Sequence, residues 1–247
     1  MSSSEVPPTG HGLPDTSRTA HEVAEGLSRA GQSVVDQVKP RLRGWIHAGV
    51  APLVLAAAIV LVALSPTAAA RWSNIVFGAS AVMLFGTSAV YHRGRWSPRT
   101  AAVLRRLDHT NIFLIIAGTY TPLATLLLDA RTARTLLLVV WIGALVGVLG
   151  RVFWLGAPRW VYVPIYLALG WVAVGFIPSF GRTGGAAVAW LVIAGGVAYT
   201  VGAIVYGTKR PNPSPRWFGF HEVFHTLTVL AFACHYIAVS IATYRLR

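Results

Sequence analysis

Long apolar stretches separated by short polar segments dominate the chain from about residue 44 onward. Each stretch holds about 20 residues, enough for a helix rising 1.5 Å per residue to cross roughly 30 Å of hydrocarbon. The pattern predicts seven membrane-spanning helices, at residues 44–64, 71–92, 108–128, 135–154, 159–178, 187–207 and 220–243. Because the gaps are short, neighbouring spans should pack antiparallel in one bundle. Pro164 and Pro178 predict a kink or break in the fifth span.

The segment before the first span is polar, unlike the apolar stretches that follow it. Residues 1–20 are rich in Pro, Ser and Thr and too poor in apolar residues to offset their ordering entropy, which predicts a disordered tail. In residues 21–43, apolar positions recur at helical spacing among charges, which favours an amphipathic helix on the membrane surface, with a linker as the alternative. The predicted domain organisation is therefore a tail, this segment, and a membrane domain over residues 44–243.

The composition supports an all-α membrane protein. Hydrophobic residues make up 55% of the chain and charged residues 12%, against about a quarter charged in an average soluble domain. This excludes an ordinary soluble enzyme. The single cysteine, Cys234, allows neither an intrachain disulfide nor a cysteine zinc site.

The net charge of +13 comes from basic clusters between apolar runs rather than from one polar face, so nucleic-acid binding is not expected. With a cytoplasmic N-terminus, thirteen basic residues flank the spans on the inside and six on the outside. The inside set is Lys39, Arg41, Arg43, Arg93, Arg95, Arg99, Arg105, Arg106, Arg151, Arg159, Lys209, Arg210 and Arg216; the outside set is Arg71, Arg131, Arg134, Arg182, Arg245 and Arg247. The positive-inside rule therefore predicts a cytoplasmic N-terminus and an external C-terminus.

In this orientation, three predicted helices bring histidines and acids to the same cytoplasmic end. The second span ends at His92, the third begins at Asp108 and the seventh begins with His221 and His225. His221 and His225 lie four residues apart on one helix face, a spacing that can chelate one metal ion. After residue 43 the chain has three carboxylates, Asp108, Asp129 and Glu222. Two of them, Asp108 and Glu222, lie in this layer.

With His92, the candidate site has three imidazoles and a fourth position for water, the composition of a catalytic zinc site. We expect Zn²⁺ at His92, His221 and His225. Asp108 could accept a proton from the water or orient it, and Ser88 could donate a hydrogen bond to a substrate carbonyl or oxyanion.

Other assignments are open for the remaining polar residues. The string HEVFH at 221–225 also fits the HExxH pattern, in which Glu222 would be the general base of a metalloprotease. However, Glu222 lies about 100° round the helix from His221. His109 adjoins Asp108 and points off its face, so its alternative role is to contact a ligand side chain rather than the metal, and Asp129 is expected to be a solvated loop acid. His47 and His235 fit core or hydrogen-bonded residues better than ligands.

Four segments resemble the haemolysin III-like proteins, which belong with the adiponectin and progestin receptors and, more remotely, the alkaline ceramidases. These segments are SAVYH at 88–92, RLDHTNIFLIIAGTYTP at 106–122, WVYVPIYLALGW at 160–171 and GFHEVFHTLTVLAFACHY at 219–236. The resemblance covers about residues 40–243. It implies seven helices, a cytoplasmic N-terminus and zinc held near the cytoplasmic face at the positions of His92, His221 and His225, with Asp108 and Ser88 as the accompanying acid and serine.

The leading functional hypothesis is a zinc-dependent hydrolase of lipid amide or ester bonds in the plasma membrane, because lipid is the nearest substrate for an open site inside a bundle. The alternative is a receptor or a pore-forming protein with a structural zinc ion. A pore should show a polar stripe along several helices, yet spans four to six have almost no charged interior residues. The sequence identifies neither the substrate nor the oligomeric state.

Overall fold

The computed structural model describes residues 40–154 and 156–246. The predicted tail at 1–20 and all but the last four residues of the segment at 21–43 lie outside the described residues. Within the described part the chain is helical, with no strand beyond an isolated bridge between Ser214 and Phe218.

In the part of the chain that the structure describes, eight α-helices build the membrane domain. They are α1 (Trp45–Ala63), α2 (Ala68–Arg93), α3 (Pro98–Leu127), α4 (Ala130–Phe153), α5 (Arg159–Trp171), α6 (Ile177–Gly184), α7 (Ala186–Thr208) and α8 (Phe220–Tyr244). A short 3₁₀ helix, Val172–Phe176, joins α5 to α6, so these two form one span, Arg159–Gly184. The described residues thus form seven spans long and apolar enough to cross a membrane, which confirms the predicted fold class.

The fifth span is broken, as its prolines predict. The 3₁₀ helix lies between Pro164 and Pro178, and Pro178 sits in the first turn of α6. A proline fits this position because its missing N–H would have no intrahelical partner there. Pro178 therefore starts a helix, and the span runs on to Gly184 rather than ending at residue 178.

The third span begins earlier than predicted. α3 starts at Pro98, where the Ser97 hydroxyl accepts a hydrogen bond from the Thr100 N–H at 3.2 Å. The arginine-rich composition of this segment is typical of a loop, but arginine is also a good helix former, and these arginines extend the helix at its polar end. The prediction that Asp108 marks the entrance of the helix is therefore wrong: Asp108 lies almost three turns inside α3 and is buried.

The helices pack in sequence order and close around α8. Helices α1 to α4 pack pairwise along the chain, and α8 packs against α1, α3 and α7. Phe232 of α8 contacts two aromatic rings of α2, with centroid distances of 5.7 Å to Phe77 and 5.2 Å to Phe85. Gly147 of α4 lies so close to the Phe113 ring that any Cβ there would overlap it. The polar ends of α2, α3 and α8 are thereby held side by side.

Candidate metal centre

Three histidines meet where α2 ends and α8 begins. The Nε2 atoms of His92 and His221 are 3.2 Å apart, and the ring centroids of His221 and His225 are 4.4 Å apart. One ring nitrogen from each residue lies within 4.8 Å of the other two. We call this region, defined by His92, His221 and His225, the histidine end. Its three nitrogens can converge on one cation.

Local backbone features bring the neighbouring segments close to these residues. Gly44, just before α1, has φ of 81°, a left-handed conformation that favours glycine. A Cβ at Gly44 would come within 2.7 Å of the His92 Cβ. The start of α1 can therefore lie directly against the last turn of α2 only because residue 44 has no side chain.

Both carboxylate oxygens of Glu222 are bound by groups other than the three imidazoles. One carboxylate oxygen accepts a hydrogen bond from the Arg43 Nε at 2.6 Å, and the other accepts one from the Gly219 N–H at 2.8 Å. Both oxygens therefore stabilise the start of α8 and its contact with the segment before α1. This arrangement favours a structural role for Glu222 over the general base of the HExxH alternative.

Asp108 is the carboxylate beside the histidines. Its Oδ2 lies 3.6 Å from the His92 Nε2, and Ser88, one turn before His92 on α2, lies beside the same carboxylate. The structure thus brings together all five predicted site residues. Zinc binding and the roles of Asp108 and Ser88 stay predictions.

A fourth histidine, His47, lies at this end; its burial agrees with the core position predicted for it, but its contact with His225 was not predicted. His47 of α1 is 2% exposed, and its ring stacks on that of His225 at 3.9 Å with the planes 9° apart. Neither of its ring nitrogens has a hydrogen-bond partner of acceptable geometry among the described residues. The sequence feature that could have indicated this contact is the position of His47, a polar residue near the polar end of an otherwise apolar span.

The other two histidines of the described residues lie apart from the three-nitrogen cluster. His235 is buried deeper along α8, with Nε2 3.3 Å from the Val192 carbonyl oxygen, which agrees with the hydrogen-bonded core role expected for it. His109 contacts Arg151 of α4, with 2.6 Å between its Nδ1 and an arginine Nη2.

A cavity of about 230 Å³ extends from the histidine end into the bundle. Its wall follows α3 from Asp108 to Tyr120, about 18 Å, and α8 from His221 to His235, about 21 Å, at the helical rise of 1.5 Å per residue. Between these limits the wall is mostly apolar, with residues such as Leu84, Ile112, Ile115, Ile116, Val192 and Ile193. The space is therefore long and mostly apolar. The one carboxylate of its wall, that of Asp108, lies at the histidine end, and farther along the wall carries the hydroxyl groups of threonines and tyrosines and the imidazole of His235.

Comparison with known proteins agrees with the sequence resemblance. The family model described as haemolysin-III related matches residues 35–236. The chain is 29% identical over 189 residues to the Hemolysin-3 homolog of Bacillus subtilis (strain 168), covering 74% of this chain and 88% of that protein. It is also 29% identical over 185 residues to the Hemolysin-3 of Bacillus cereus, covering 74% and 84% of the two chains.

Proposed function

This chain belongs to the haemolysin-III related family of membrane proteins, and from that premise we propose that it is a zinc-dependent hydrolase of lipid amide or ester bonds. The observation that carries the proposal is the position of the three imidazoles, next to a buried carboxylate and at one end of a long apolar cavity. A polar site at the end of an apolar cavity suits a substrate with a polar head and a hydrocarbon chain.

The donor set suits zinc. Three imidazole nitrogens are typical ligands of Zn²⁺, whereas Mg²⁺ and Ca²⁺ take oxygen ligands. His92, His221 and His225 would hold the ion, with Asp108 outside the ligand set. Bound there, the ion would act as a Lewis acid and would lower the pKa of its bound water toward neutrality.

The chain's own residues would transfer the proton and bind the carbonyl oxygen. Asp108 accepts a proton from the water whose oxygen attacks the carbonyl carbon, and the same proton passes to the leaving amine or alkoxide as its bond to carbon breaks. Ser88 donates a hydrogen bond to the carbonyl oxygen as negative charge develops on it. Burial of Asp108 strengthens its interactions, because little water competes for the carboxylate.

The shape of the cavity supports the proposed substrate class. Its length of about 20 Å, taken from the helical rise, and its small volume fit one extended hydrocarbon chain better than a compact solute. The surrounding bilayer supplies such molecules, and we propose the plasma membrane as the location. The substrate is then a membrane lipid with a single chain inside the cavity during the reaction.

A pair of matched carboxylate variants tests this function. Asp108→Asn should retain zinc and lower the hydrolysis rate by about 100-fold or more, because it removes the proton acceptor. Glu222→Gln should retain zinc and most activity, because its partners are Arg43 and the Gly219 N–H. Hydrolysis of lipid amides and esters in micelles, with metal analysis of each preparation, measures both effects. A large loss in Glu222→Gln with none in Asp108→Asn would instead support the metalloprotease mechanism.

The names of the two Bacillus relatives suggest membrane lysis as a second candidate function, with zinc in a structural role. The mostly apolar wall of the cavity does not favour a water-filled path through a single bundle. A lytic form would then need several copies of the chain. Release of a dye from lipid vesicles by purified protein, with and without bound metal, tests this alternative.

A further inference from the structure

Arg151 is a buried cation in an unusual setting. It lies in the last turn of α4 with 3% exposure, and no carboxylate of the described residues lies within ion-pair distance of it. Its guanidinium carbon lies 4.2 Å from the centroid of the Tyr162 ring, and one Nη2 contacts the His109 Nδ1 at 2.6 Å. Among the described residues, the ring face of Tyr162 and the Nδ1 atom of His109 are therefore the groups that stabilise the Arg151 charge.

The contact with Arg151 determines where the His109 proton sits. A guanidinium has five N–H donors and no acceptor, so the His109 Nδ1 must accept the hydrogen bond through its lone pair. A ring that accepts at Nδ1 carries its proton at Nε2 and is uncharged. No other hydrogen bond to this ring occurs in the part of the chain that the structure describes. His109 lines the cavity beside Asp108.

We propose that Arg151 is a positioning residue that holds His109 as an Nε2–H donor, and that this donor binds an oxygen of the ligand's polar head at the histidine end of the cavity. The proposal rests on the proposed function only for the nature of the ligand, a lipid with a carbonyl or carboxylate head. The uncompensated charge behind the imidazole strengthens its N–H as a donor, and it favours an acceptor that carries partial or full negative charge.

The tautomer is tested directly by ¹⁵N chemical shifts of histidine-labelled protein, with the His109 signal assigned by its loss in His109→Gln. Wild type should show a neutral ring protonated at Nε2. Arg151→Met should show a mixture of tautomers, because the obligatory donor is gone. Arg159→Met is the matched control, since Arg159 lies over the Tyr206 ring and donates to the Tyr206 carbonyl instead. A wild-type ring protonated at Nδ1, or at both nitrogens, would overturn the proposal.

Binding tests the donor itself, with palmitate and hexadecylamine as probes on metal-depleted protein. His109→Phe should weaken palmitate binding about tenfold and leave hexadecylamine, whose ammonium has no acceptor, within about twofold. His109→Gln should restore palmitate binding to within about twofold, because the amide places an N–H near the position of Nε2. Equal palmitate affinity in wild type and a folded His109→Phe protein would contradict the assignment.

The two proposals fail separately. Wild type that neither holds zinc nor hydrolyses lipid would end the hydrolase proposal, while the ¹⁵N shifts and the palmitate affinities would still support the His109 donor. Conversely, zinc-dependent turnover in a protein whose His109→Phe variant keeps full palmitate affinity would retain the hydrolase and overturn the donor. A change in melting temperature without a change in the ¹⁵N shift of Arg151→Met would mean that Arg151 is structural, which also overturns its positioning role.

Discussion

Two buried polar clusters join α2 to α8 at opposite ends of the bundle, and they are built in opposite ways. At one end, Asn74 donates its two amide protons to the Ser65 hydroxyl at 2.9 Å and to the Thr243 hydroxyl at 3.0 Å. We call this cluster the asparagine end. At the other end, His92 of α2 meets His221 and His225 of α8.

The difference lies in the balance of donors and acceptors. At the asparagine end, both amide protons of Asn74 meet hydroxyl oxygens, and of the Asn74 side-chain atoms only Oδ1 has no hydrogen-bond partner among the described residues. At the histidine end, three imidazoles and the Asp108 carboxylate bring several lone pairs together in a buried space. Such a set needs a cation or extra protons to balance it. A buried polar cluster whose donors are paired within the protein is structural, whereas one that brings several nitrogen and carboxylate acceptors together is a candidate site.

The orientation of the two ends gives an all-or-none test. The excess of basic residues on one side predicts that the histidine end faces the cytoplasm. A reporter inserted within residues 210–216 should therefore respond as cytoplasmic, and one fused after Arg247 should respond as external. A cytoplasmic response from the fusion after Arg247 would contradict the predicted orientation or the count of spans.

Loss of a single imidazole should break the histidine end. In His92→Ala, His221→Ala or His225→Ala at most two of the three nitrogens remain. Zinc affinity should then fall more than about 100-fold, because even the loss of a residue that only hydrogen-bonds to a metal ligand costs up to about 100-fold. Folding should survive, since the spans drive insertion and packing. Metal analysis of purified protein measures the effect.

His235→Ala serves as the matched control for these variants. This histidine lies on the same helix and lines the same cavity, and among the described residues it belongs to no cluster of metal-ligand spacing, so zinc should be retained. Acid should also release the ion from wild type, because protons compete for the same lone pairs. Stoichiometric zinc in purified His221→Ala would remove the basis of the site.

A substitution at the asparagine end should lower stability and leave the metal in place. Asn74→Leu removes both hydrogen bonds to hydroxyl groups, and the free energy of unfolding should fall by about 1–2 kcal/mol, a range typical of buried polar contacts between membrane helices. Thermal unfolding in detergent measures the loss, and zinc content should match wild type. Zinc loss in this variant would show that the two ends are coupled rather than independent.

The smallest effect is expected from Asp129, which caps the start of α4 at the same end as Asn74. Hydrogen bonds from the Thr132 side chain, and from the backbone N–H groups of Thr132 and Arg131, hold the pKa of Asp129 below its usual value. Because the folded-state pKa is lowered, the carboxylate stabilises the fold above its unfolded-state pKa, and this stabilisation disappears as the pH falls through the folded-state pKa.

Melting curves over a pH series check this expectation. Wild type should exceed Asp129→Ala in melting temperature near neutral pH, and the difference should shrink in acid. Asp129→Asn, which caps without charge, should show no such pH dependence relative to Asp129→Ala. A wild-type advantage that grows in acid would contradict the role of the ionised cap.

The seven spans could be predicted from the sequence because the preference of an apolar stretch for lipid depends on the stretch itself. The shared face of His221 and His225 was equally predictable, since four residues make about one helical turn. Helix ends were harder. The arginine-rich residues before Asp108 resemble a loop in composition, yet the Ser97 cap and Pro98 start α3 there, so the buried depth of Asp108 was missed.

Residues that meet across helices could not be identified from spacing. His47 stacks on His225 although 178 positions separate them along the chain, and His109 contacts Arg151 of the next helix. The sequence by itself determined which segments enter the membrane and which side chains on one helix share a face, because both depend on local solvation and helical periodicity. The tertiary structure alone decided which faces meet and which polar atoms are satisfied, because helix rotation and depth are set by the packing of all the spans together.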